Sequence, residues 1–433
     1  MAEREFDLVI FGASGFTGEY VLKEAAKILE IQSGALAEYS KNAKWAIAGR
    51  SQEKLDAAKA KAGESVAAVA TILADVGDAE SLRAMAKRTK VILNCVGPYR
   101  FFGAPVVAAC VEEGTDCVDL CGEPEFLEKT ALEFHEAAKQ KGVLIVGSCG
   151  FDSIPADCGV QAARRAFSPG LCVSAETFLH LQTGPKGGAV HYATFQAAVE
   201  GVGNAHILQE IRKKAQGQKP KLTRVGPKLK IQQGPFETSK YDGKACYAFM
   251  GADASVIKRS FEFFTEKDSK FISPQHACYF CLPKEHSRKM NIYGGMFMTL
   301  AKFSLGRSLL LQYPGFFTNQ FFTREGPSEE QMAETSFWID IFASGTSAAV
   351  SDPSADLSGQ IDKHVKVTVK GPEPGYIATS SFLCCAALAV LREKGSRIAS
   401  GGVLTPGFAF EDSRLFELLQ QRDVSIEVSE VQQ

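Results

Sequence analysis

Three glycines at a fixed spacing lie close to the start of the chain. The stretch DLVIFGASGFTGEYV contains an apolar run from Leu8 to Phe11, followed by Gly12, Gly15 and Gly18. Where such a triplet links a strand to a helix, the first glycine permits the turn, the second lets the backbone approach a pyrophosphate, and the third lets helix and strand pack closely. The N-terminus of the helix then faces the anion. The spacing therefore predicts a dinucleotide-binding loop.

The next candidate residues follow the predicted second strand, in AIAGRS. Folds that prefer NAD place an acidic residue here, whereas Arg50, supported by Ser51, can accommodate a 2′-phosphate. We therefore expect NADP rather than NAD. Arg50 lies further from the glycines than the usual ~20 residues, and we attribute this to the polar insert QSGALAEYSKNA. The alternative is that Arg50 is a solvated residue at the start of a helix.

Two further strand ends carry polar residues. Asp75 ends the third predicted strand, where its side chain could face the adenine or could instead cap a helix. The fourth strand ends in NCVGPYR, so Asn94, Gly97 and Pro98 are predicted to form the loop nearest the nicotinamide.

These positions depend on an alternation of strands and helices over the first third of the chain. Short apolar runs predict strands at Phe6–Phe11, Trp45–Ala48, Val69–Ala74, Val91–Val96, Cys117–Leu120 and Val143–Val146. Segments of helical length lie between them at Gly15–Glu30, Gln52–Ala62, Ala79–Arg88, Pro105–Glu113 and Pro124–Lys141. The pattern predicts an α/β fold with a Rossmann-type, doubly wound parallel sheet that binds ligand at the carboxyl ends of its strands.

Length and composition narrow the class of protein. A chain of 433 residues exceeds one ordinary core, so two domains are expected. Its 48 basic and 50 acidic side chains do not favour nucleic-acid binding. Twelve dispersed cysteines are typical of reduced thiols in an intracellular protein. Acidic residues at Glu3, Glu5 and Asp7 argue against a targeting leader.

Six blocks, in order, resemble one family: VIFGASGFTG, AGRS, LNCVGPYRFFGAPVVAAC, GFDSIPAD, GPEPGY and GGVLTPGFAF. Together they resemble the saccharopine dehydrogenase-like oxidoreductases, which are related to saccharopine reductase and include trans-acting enoyl reductases. The resemblance implies that these residues contact the cofactor: Gly12, Ser14, Gly15, Phe16, Thr17, Gly18, Arg50, Ser51, Asp75, Asn94 and Gly97.

The resemblance also implies a domain organisation. Residues 1–155 would form the dinucleotide-binding domain, completed by about 376–433, and residues 156–375 would form an inserted α+β substrate and dimerisation domain. The regular alternation is indeed lost in the middle section, where Thr177–Leu181 and Val365–Val369 read as strands of a mixed sheet. The resemblance also implies a homodimer.

No proton donor is evident from a motif. None of the ten tyrosines is followed four residues later by lysine, as short-chain dehydrogenases require, and no GxSxG elbow is present. Polar residues beyond the fourth, fifth and sixth strands are candidates for proton transfer or substrate anchoring. They are Tyr99, Arg100, Glu123 and Asp152. Each could instead cap a helix or form an ion pair, so the catalytic residue is left unassigned.

The stretch HACYFCLPKEH has a spacing that zinc sites also show. It contains His276, Cys278, Cys281 and His286. The ring-bearing residues between the cysteines favour an ordinary strand, and a second ligand pair is missing. We therefore expect no metal site.

Two segments of the middle section suggest a lipid surface. Residues 212–230 contain eight basic and no acidic side chains, and residues 291–322 are rich in large apolar residues. Lys302 and Arg307 interrupt the apolar segment. No charge-free apolar run in it reaches the ~18–20 residues that a membrane-spanning helix needs. It could pack into the core or a dimer interface. Alternatively, acyl chains could take up five of its side chains, Phe297, Leu300, Phe303, Leu309 and Phe316.

The combined prediction is an NADP-binding oxidoreductase that acts on a lipid-derived or other hydrophobic small molecule. The family resemblance implies peripheral attachment to lipid droplets or membranes, on the cytosolic face. Two alternatives stay open: a nucleotide-binding scaffold with little turnover, and a saccharopine or other amino-acid dehydrogenase. An amino-acid substrate would need arginines to fix its carboxylates, and the middle section shows no such cluster.

Overall fold

The computed structural model describes residues 3–350, 357 and 359–431. The strands are β1 Phe6–Phe11, β2 Trp45–Gly49, β3 Ala70–Leu73, β4 Thr89–Asn94, β5 Asp116–Asp119, β6 Leu144–Val146, β7 Cys172–Gln182, β8 Val190–His191, β9 Lys244–Ala248, β10 Gln275–Pro283, β11 Phe322–Thr323, β12 Ser336–Gly345, β13 Lys363–Pro372, β14 Gly402–Leu404 and β15 Ser425–Glu430. The α-helices are α1 Phe16–Leu29, α2 Gly34–Ser40, α3 Gln52–Ala62, α4 Ala79–Lys87, α5 Tyr99–Glu113, α6 Pro124–Lys141, α7 Ile154–Arg165, α8 Tyr192–Gly203, α9 Ala205–Lys214, α10 Asp253–Lys267, α11 Lys284–Leu300, α12 Ser304–Gln312, α13 Pro314–Phe317, α14 Glu329–Ala333, α15 Thr379–Glu393, α16 Pro406–Ala409 and α17 Leu415–Gln420.

Contacts divide the chain into two units, each built from separate stretches. The first comprises the chain up to Gly122, Phe126–Ile154 and Pro374–Val424. The second comprises Glu123–Glu125, Pro155–Glu373 and the residues from Ser425 onward. Residues 376–433 were expected to complete the dinucleotide-binding domain. Their last strand, β15, instead pairs antiparallel with β13 in the sheet of the second unit.

The first unit contains a parallel sheet. In the described residues its strand order is β3-β2-β1-β4-β5-β6-β14, and every neighbouring pair is parallel. The predicted Rossmann-type fold is therefore confirmed. The seventh strand, β14, comes from the C-terminal part of the chain and pairs with β6. Strands buried on both faces need nearly continuous apolar residues, as in Leu8–Phe11 of β1.

A long apolar helix lies in the core of this unit. Nearly all residues of α15 are buried, and the helix contacts β4, β5 and α1. Among the described helices, the stretch Pro374–Glu393 has the length and apolar composition of a membrane span, with a mean hydropathy of 1.6. Because 78% of this stretch is buried inside the protein, it serves here as a core helix.

The second unit contains a mixed sheet, with strand order β9-β10-β7-β12-β13-β15 in the described residues. Strands β7 and β10 run parallel, and the other pairs are antiparallel. The predicted strands Thr177–Leu181 and Val365–Val369 lie within β7 and β13.

A smaller helical layer of the second unit contains α8 and α11–α13. Its apolar centre is formed by Phe195, Val199, Ala301 and Leu310. The two-stranded ribbon of β8 and β11 adjoins it through the ring of Phe322, which lies 5.1 Å from that of Phe195. This layer contains most of the apolar segment 291–322.

Candidate functional site

The glycine loop connects β1 to α1 by a turn that side chains would obstruct. Gly12 has a φ of +88°, in the left-handed region that favours glycine. A Cβ on Gly18 would lie 2.1 Å from the carbonyl oxygen of Gly12, so helix and loop are in direct backbone contact. Gly15 caps α1 without any side-chain hydrogen bond, which leaves the first amides of the helix available to an anion.

The end of β2 presents a positive charge beside this loop region. Arg50 is exposed and forms no hydrogen bond or ion pair with the part of the chain that is described. Ser51 is committed in part, because its Oγ accepts a hydrogen bond from the Lys54 amide at 3.3 Å and so caps α3. Arg50 is therefore available to a phosphate, and the hydroxyl of Ser51 can still donate a hydrogen bond to one.

Asp75 follows β3, where its carboxylate closes a local turn. Its Oδ1 accepts a hydrogen bond from the Gly77 amide at 2.9 Å. The cap of α4 is the neighbouring Asp78, which accepts from the amides of Glu80 and Ser81. The alternative in which Asp75 caps a helix is therefore wrong, and the residue remains half-buried at the edge of the sheet.

Asn94 ends β4 with an unpaired donor. Its Oδ1 accepts from the Val96 amide at 3.1 Å, but its buried Nδ2 has no hydrogen-bond partner among the described residues. An unsatisfied amide costs about 1–3 kcal/mol, so the site suits a ligand that accepts a hydrogen bond. Gly97, three residues on, is exposed at the same strand end.

Tyr99 is poorly suited to proton transfer, whereas Glu123 and Arg100 stay candidates. The Tyr99 hydroxyl donates to the Asn94 carbonyl at 2.7 Å and accepts from the Leu120 amide at 3.1 Å. Burial raises the pKa of Tyr99 well above its usual value. Glu123 is buried and belongs to the second unit. Arg100 is half-buried in the first turn of α5 and interacts with neighbouring groups.

Asp152 differs from the other three candidates. Loss of hydration raises the pKa of its carboxyl to about 6. The carboxyl has no hydrogen-bond or ion-pair partner in the described part of the chain, and it packs so closely that a Cβ on Gly122 would lie 2.9 Å from Oδ2. It follows β6, whose carboxyl end lies beside that of β5 in the sheet. A desolvated carboxyl with a pKa near neutrality is typical of a general acid or base.

Sequence reasoning missed an aromatic cluster beside the glycine loop. The ring of Phe16 lies 4.9 Å from that of Tyr376, edge to face, and 5.5 Å from that of Tyr20. Tyr376 belongs to the GPEPGY motif, and Tyr20 lies one helical turn after Phe16. The motif and the i, i+4 spacing were the available signals. The cluster provides an apolar wall next to the first turn of α1.

The residues considered for zinc are dispersed. Cys278 and Cys281 lie on β10, where an odd spacing places them on opposite faces, and His276 donates from Nε2 to the Ala254 carbonyl at 2.9 Å. His286 lies on α11. Within residues 3–350, 357 and 359–431, no group of three His, Cys, Asp or Glu side chains is arranged to hold a metal ion.

Comparison with known proteins decides the family. The family model for the NADP-binding domain of saccharopine dehydrogenase matches residues 8–146. A saccharopine dehydrogenase-like oxidoreductase of Rattus norvegicus is 38% identical over 98% of this chain and 98% of its own length. The chain belongs to the saccharopine dehydrogenase-like oxidoreductases. The predictions of an NADP-binding oxidoreductase and of NADP as its cofactor are thereby confirmed.

Other similarities within and beyond the family are informative. A Caenorhabditis elegans relative named lipid droplet localized protein is 35% identical over 96% of each chain. A trans-acting enoyl reductase of Mycobacterium bovis is 40% identical over 183 residues, which are 42% of this chain and 41% of that protein. The solved apo saccharopine dehydrogenase (L-Glu forming) of Saccharomyces cerevisiae covers 99% of this chain and 100% of its own, with a TM-score of 0.58. At 13% identity, this likeness shows the fold alone.

The residues present fit NADP. A glycine cradle that Cβ atoms would fill, a helix start without a side-chain cap, and an exposed arginine suit the phosphates of a dinucleotide. The unpaired amide of Asn94 suits a hydrogen-bond acceptor elsewhere on the cofactor. The individual contacts predicted from the resemblance stay predictions.

Proposed function

We propose that the chain is an NADP-dependent oxidoreductase that works at a lipid surface on a hydrophobic, lipid-derived substrate. The observation that carries this proposal is the outward apolar face of α12 and its neighbours. Leu305, Leu309 and Tyr313 recur every four residues and are exposed, while Gly306 and Leu310 of the same helix are buried. A helix that is apolar on both its inner and outer faces needs an apolar partner outside the protein.

Seven large apolar side chains of the segment 291–322 are exposed, and we take them together as the proposed face. They are Ile292, Phe303, Leu305, Leu309, Tyr313, Phe316 and Phe321. Two of the residues expected to enter acyl chains are excluded from it, because Phe297 and Leu300 pack against the apolar centre of the helical layer. Phe297 also contacts Phe195, with ring centroids 5.8 Å apart. Those two residues therefore pack in the core, as the alternative expected. The exposed side chains do not, and a dimer interface stays the alternative to a lipid surface for them.

The exposed apolar area of this face is sufficient for reversible attachment to a lipid surface. Phe303, Leu305 and Phe316 are 46%, 67% and 73% exposed. At about 1.5–3 kcal/mol for complete burial of one such side chain, their transfer into acyl chains contributes roughly 3–6 kcal/mol. Lys302 is exposed within the same segment and can meet an anionic head group for about 1 kcal/mol. Most basic side chains of segment 212–230 are exposed too.

The names of two relatives support this assignment. The worm relative is named for lipid droplets, and the mycobacterial relative is an enoyl reductase. We infer by similarity that the substrate of this chain is lipid-derived, and that the surface is the cytosolic face of a lipid droplet or membrane.

The first unit supplies the groups for the reaction. When bound, NADP donates or accepts the hydride. Gly12, Gly15 and Gly18 would hold the pyrophosphate, and Arg50 the 2′-phosphate. The carboxyl of Asp152 is the group best suited to exchange a proton with the substrate, because its pKa of about 6 leaves both forms accessible.

Flotation tests the surface. The intact chain should float with anionic vesicles and with isolated lipid droplets at low salt. A variant carrying Phe303→Ser, Leu305→Ser and Phe316→Ser should lose at least tenfold in bound fraction, since each roughly 1.4 kcal/mol lost is tenfold. A control variant carrying serine at three exposed apolar positions elsewhere, Ile231, Met250 and Val428, should float like the intact chain.

If the folded intact chain stayed in the soluble fraction on every surface, or if both variants lost binding equally, the face would not be a lipid-binding surface.

Turnover is tested by following NADPH oxidation with enoyl and carbonyl lipids in vesicles, and with amino-acid substrates. Asp152→Asn should lower the rate of NADPH oxidation with whichever lipid the intact chain reduces, while NADPH binding stays intact. Tight NADPH binding without oxidation by any class would support a scaffold instead.

A further inference from the structure

Two thiols in the second unit are placed to react with each other. Cys246 on β9 and Cys281 on β10 are directly opposite in the antiparallel pair. Their Sγ atoms lie 3.0 Å apart, and both side chains are buried. A disulfide requires a separation of about 2.0 Å, and directly opposite positions on paired strands have Cα atoms about 4.5–5.5 Å apart, within the range that a disulfide spans. A movement of about 1 Å would join the two sulfurs.

The two thiols are electrostatically unequal. Either thiol can donate the hydrogen bond that links the two sulfurs. That bond and the nearby ammonium groups of Lys244 and Lys240 lower the pKa of Cys246, because the Cys281 thiol can donate to the thiolate of Cys246. The same hydrogen bond and burial raise the pKa of Cys281. Cys278, on the opposite face of β10, has its pKa raised by burial. Cys246 is therefore the thiol of this pair that most readily becomes the nucleophilic thiolate.

A neighbouring histidine holds one of these cations in place. His180 on β7 pairs in register with Cys281, and its Nδ1 lies 2.9 Å from the Lys244 ammonium. Because the ammonium can only donate, Nδ1 is the acceptor. Burial and Lys244 lower the pKa of His180 to about 4, so the ring is neutral. The ring also stacks on Trp338 at 4.8 Å, which fixes its orientation.

We propose that Cys246 and Cys281 are a redox-active pair that closes to a reversible disulfide when a small two-electron oxidant such as hydrogen peroxide reaches them. The Cys246 thiolate attacks a peroxide oxygen, the O–O bond breaks, and a sulfenic acid and hydroxide form. The hydroxide takes up the proton that the Cys246 thiol released on ionising and leaves as water. The Cys281 sulfur then attacks the sulfenic sulfur, the S–O bond breaks, and a second water leaves. In total two thiols and one peroxide yield one disulfide and two waters.

The proposed bond has a structural consequence. Strand β9 is the edge strand of its sheet and follows the long segment from residue 215 to residue 243. A covalent bond to β10 would fasten this edge and constrain the unfolded chain between residues 246 and 281. The oxidised protein should therefore unfold at a higher temperature than the reduced protein, by several degrees.

Mass spectrometry of the full-length chain tests the pair. After reduction, removal of the reductant and exposure to hydrogen peroxide, a peptide cross-linked through Cys246 and Cys281 is expected, with the loss of two hydrogens, and a reductant should reverse it. Cys246→Ser and Cys281→Ser should each abolish that peptide. Cys278→Ser is the matched control on the same strand and should retain it.

The order of the steps has its own readout. In Cys281→Ser the second thiol is absent, so oxidised Cys246 should accumulate as a sulfenic acid that dimedone labels. In Cys246→Ser, Cys281 should show little dimedone label. Absence of the cross-linked peptide from folded, oxidised protein would overturn the proposal. Equal labelling of the two variants would overturn the assignment of Cys246 as the attacking thiol.

Discussion

Cofactor selectivity should depend on one exposed arginine. Arg50 makes no ion pair within the described residues, so Arg50→Asp should change the free energy of unfolding by no more than about 0.5 kcal/mol. Its proposed contact with the 2′-phosphate is a charge-assisted hydrogen bond, worth about 1.5–3 kcal/mol. Loss of that contact weakens NADPH binding roughly 10- to 150-fold, and repulsion between the new carboxylate and the phosphate weakens it further. NADH lacks this phosphate and should bind almost unchanged.

The assay is a titration of both nucleotides by their fluorescence, at one fixed ionic strength because screening alters charge effects. Lys61→Asp is the matched control. It makes the same charge change in the last turn of α3, where Lys61 forms an exposed ion pair with Glu19 at 2.8 Å. The control should preserve the ratio of NADPH to NADH affinity. If Arg50→Asp left this ratio unchanged, or if Lys61→Asp reduced it equally, Arg50 would not bind the 2′-phosphate.

Four further variants probe the first unit. Gly18→Ala places a Cβ 2.1 Å from a backbone oxygen and should lower both the melting temperature and the NADPH affinity. In Gly15→Ala the nearest contact of the new Cβ is 3.3 Å, so only the affinity should fall. Equal melting temperatures of the two variants would contradict the close packing at Gly18. The folded-state pKa of Asp152 is raised from 3.8 to about 6, so the folded state binds the extra proton and loses stability as pH rises between these values. Asp152→Asn should therefore stabilise the protein above about pH 7 and not below about pH 4, and a pH-independent effect in thermal melts would refute the raised pKa. Glu24 accepts two hydrogen bonds from Arg422 at 2.7 and 2.9 Å, so Glu24→Gln should cost about 2–4 kcal/mol in urea unfolding; a loss below about 0.5 kcal/mol would show that the pair adds nothing.

The first six strands of the parallel sheet were predictable because each is a short apolar run between polar residues. The seventh described strand, β14, was not predicted, because its three residues are too few to show a pattern. The polar insert QSGALAEYSKNA before β2 contains α2, which the sequence does not predict, and Leu36 and Tyr39 of this helix are buried. A helix of two turns carries too little periodicity to be recognised. Pro105 was expected to begin its helix but lies inside α5, which starts at Tyr99. Proline is frequent in the first turn of helices but does not always stand there. In α5 the residues before Pro105 are helical as well.

The candidate site was predictable where chemistry follows from residue type and spacing. The glycine triplet and Arg50 could be identified because phosphate binding requires those residues after particular strands. The difference between Asp152 and Tyr99 could not be predicted, since it arises from desolvation and from hydrogen-bond partners that only the folded chain brings together. Likewise, the sequence could not separate Phe297 from Phe303, because both belong to one apolar segment and only packing directs the first inward. A homodimer through the second unit stays a prediction.

The assembly of the parallel sheet from distant stretches sets a timetable for biosynthesis. Strand β6 ends at Val146, but its neighbour β14 and the core helix α15 lie beyond residue 378. At about 5–20 residues per second, a ribosome needs roughly 10–50 seconds to deliver them. During that interval the nascent sheet has an open edge and an uncovered apolar face. Chaperones that bind unfolded chains would have their greatest opportunity to bind at that stage of synthesis.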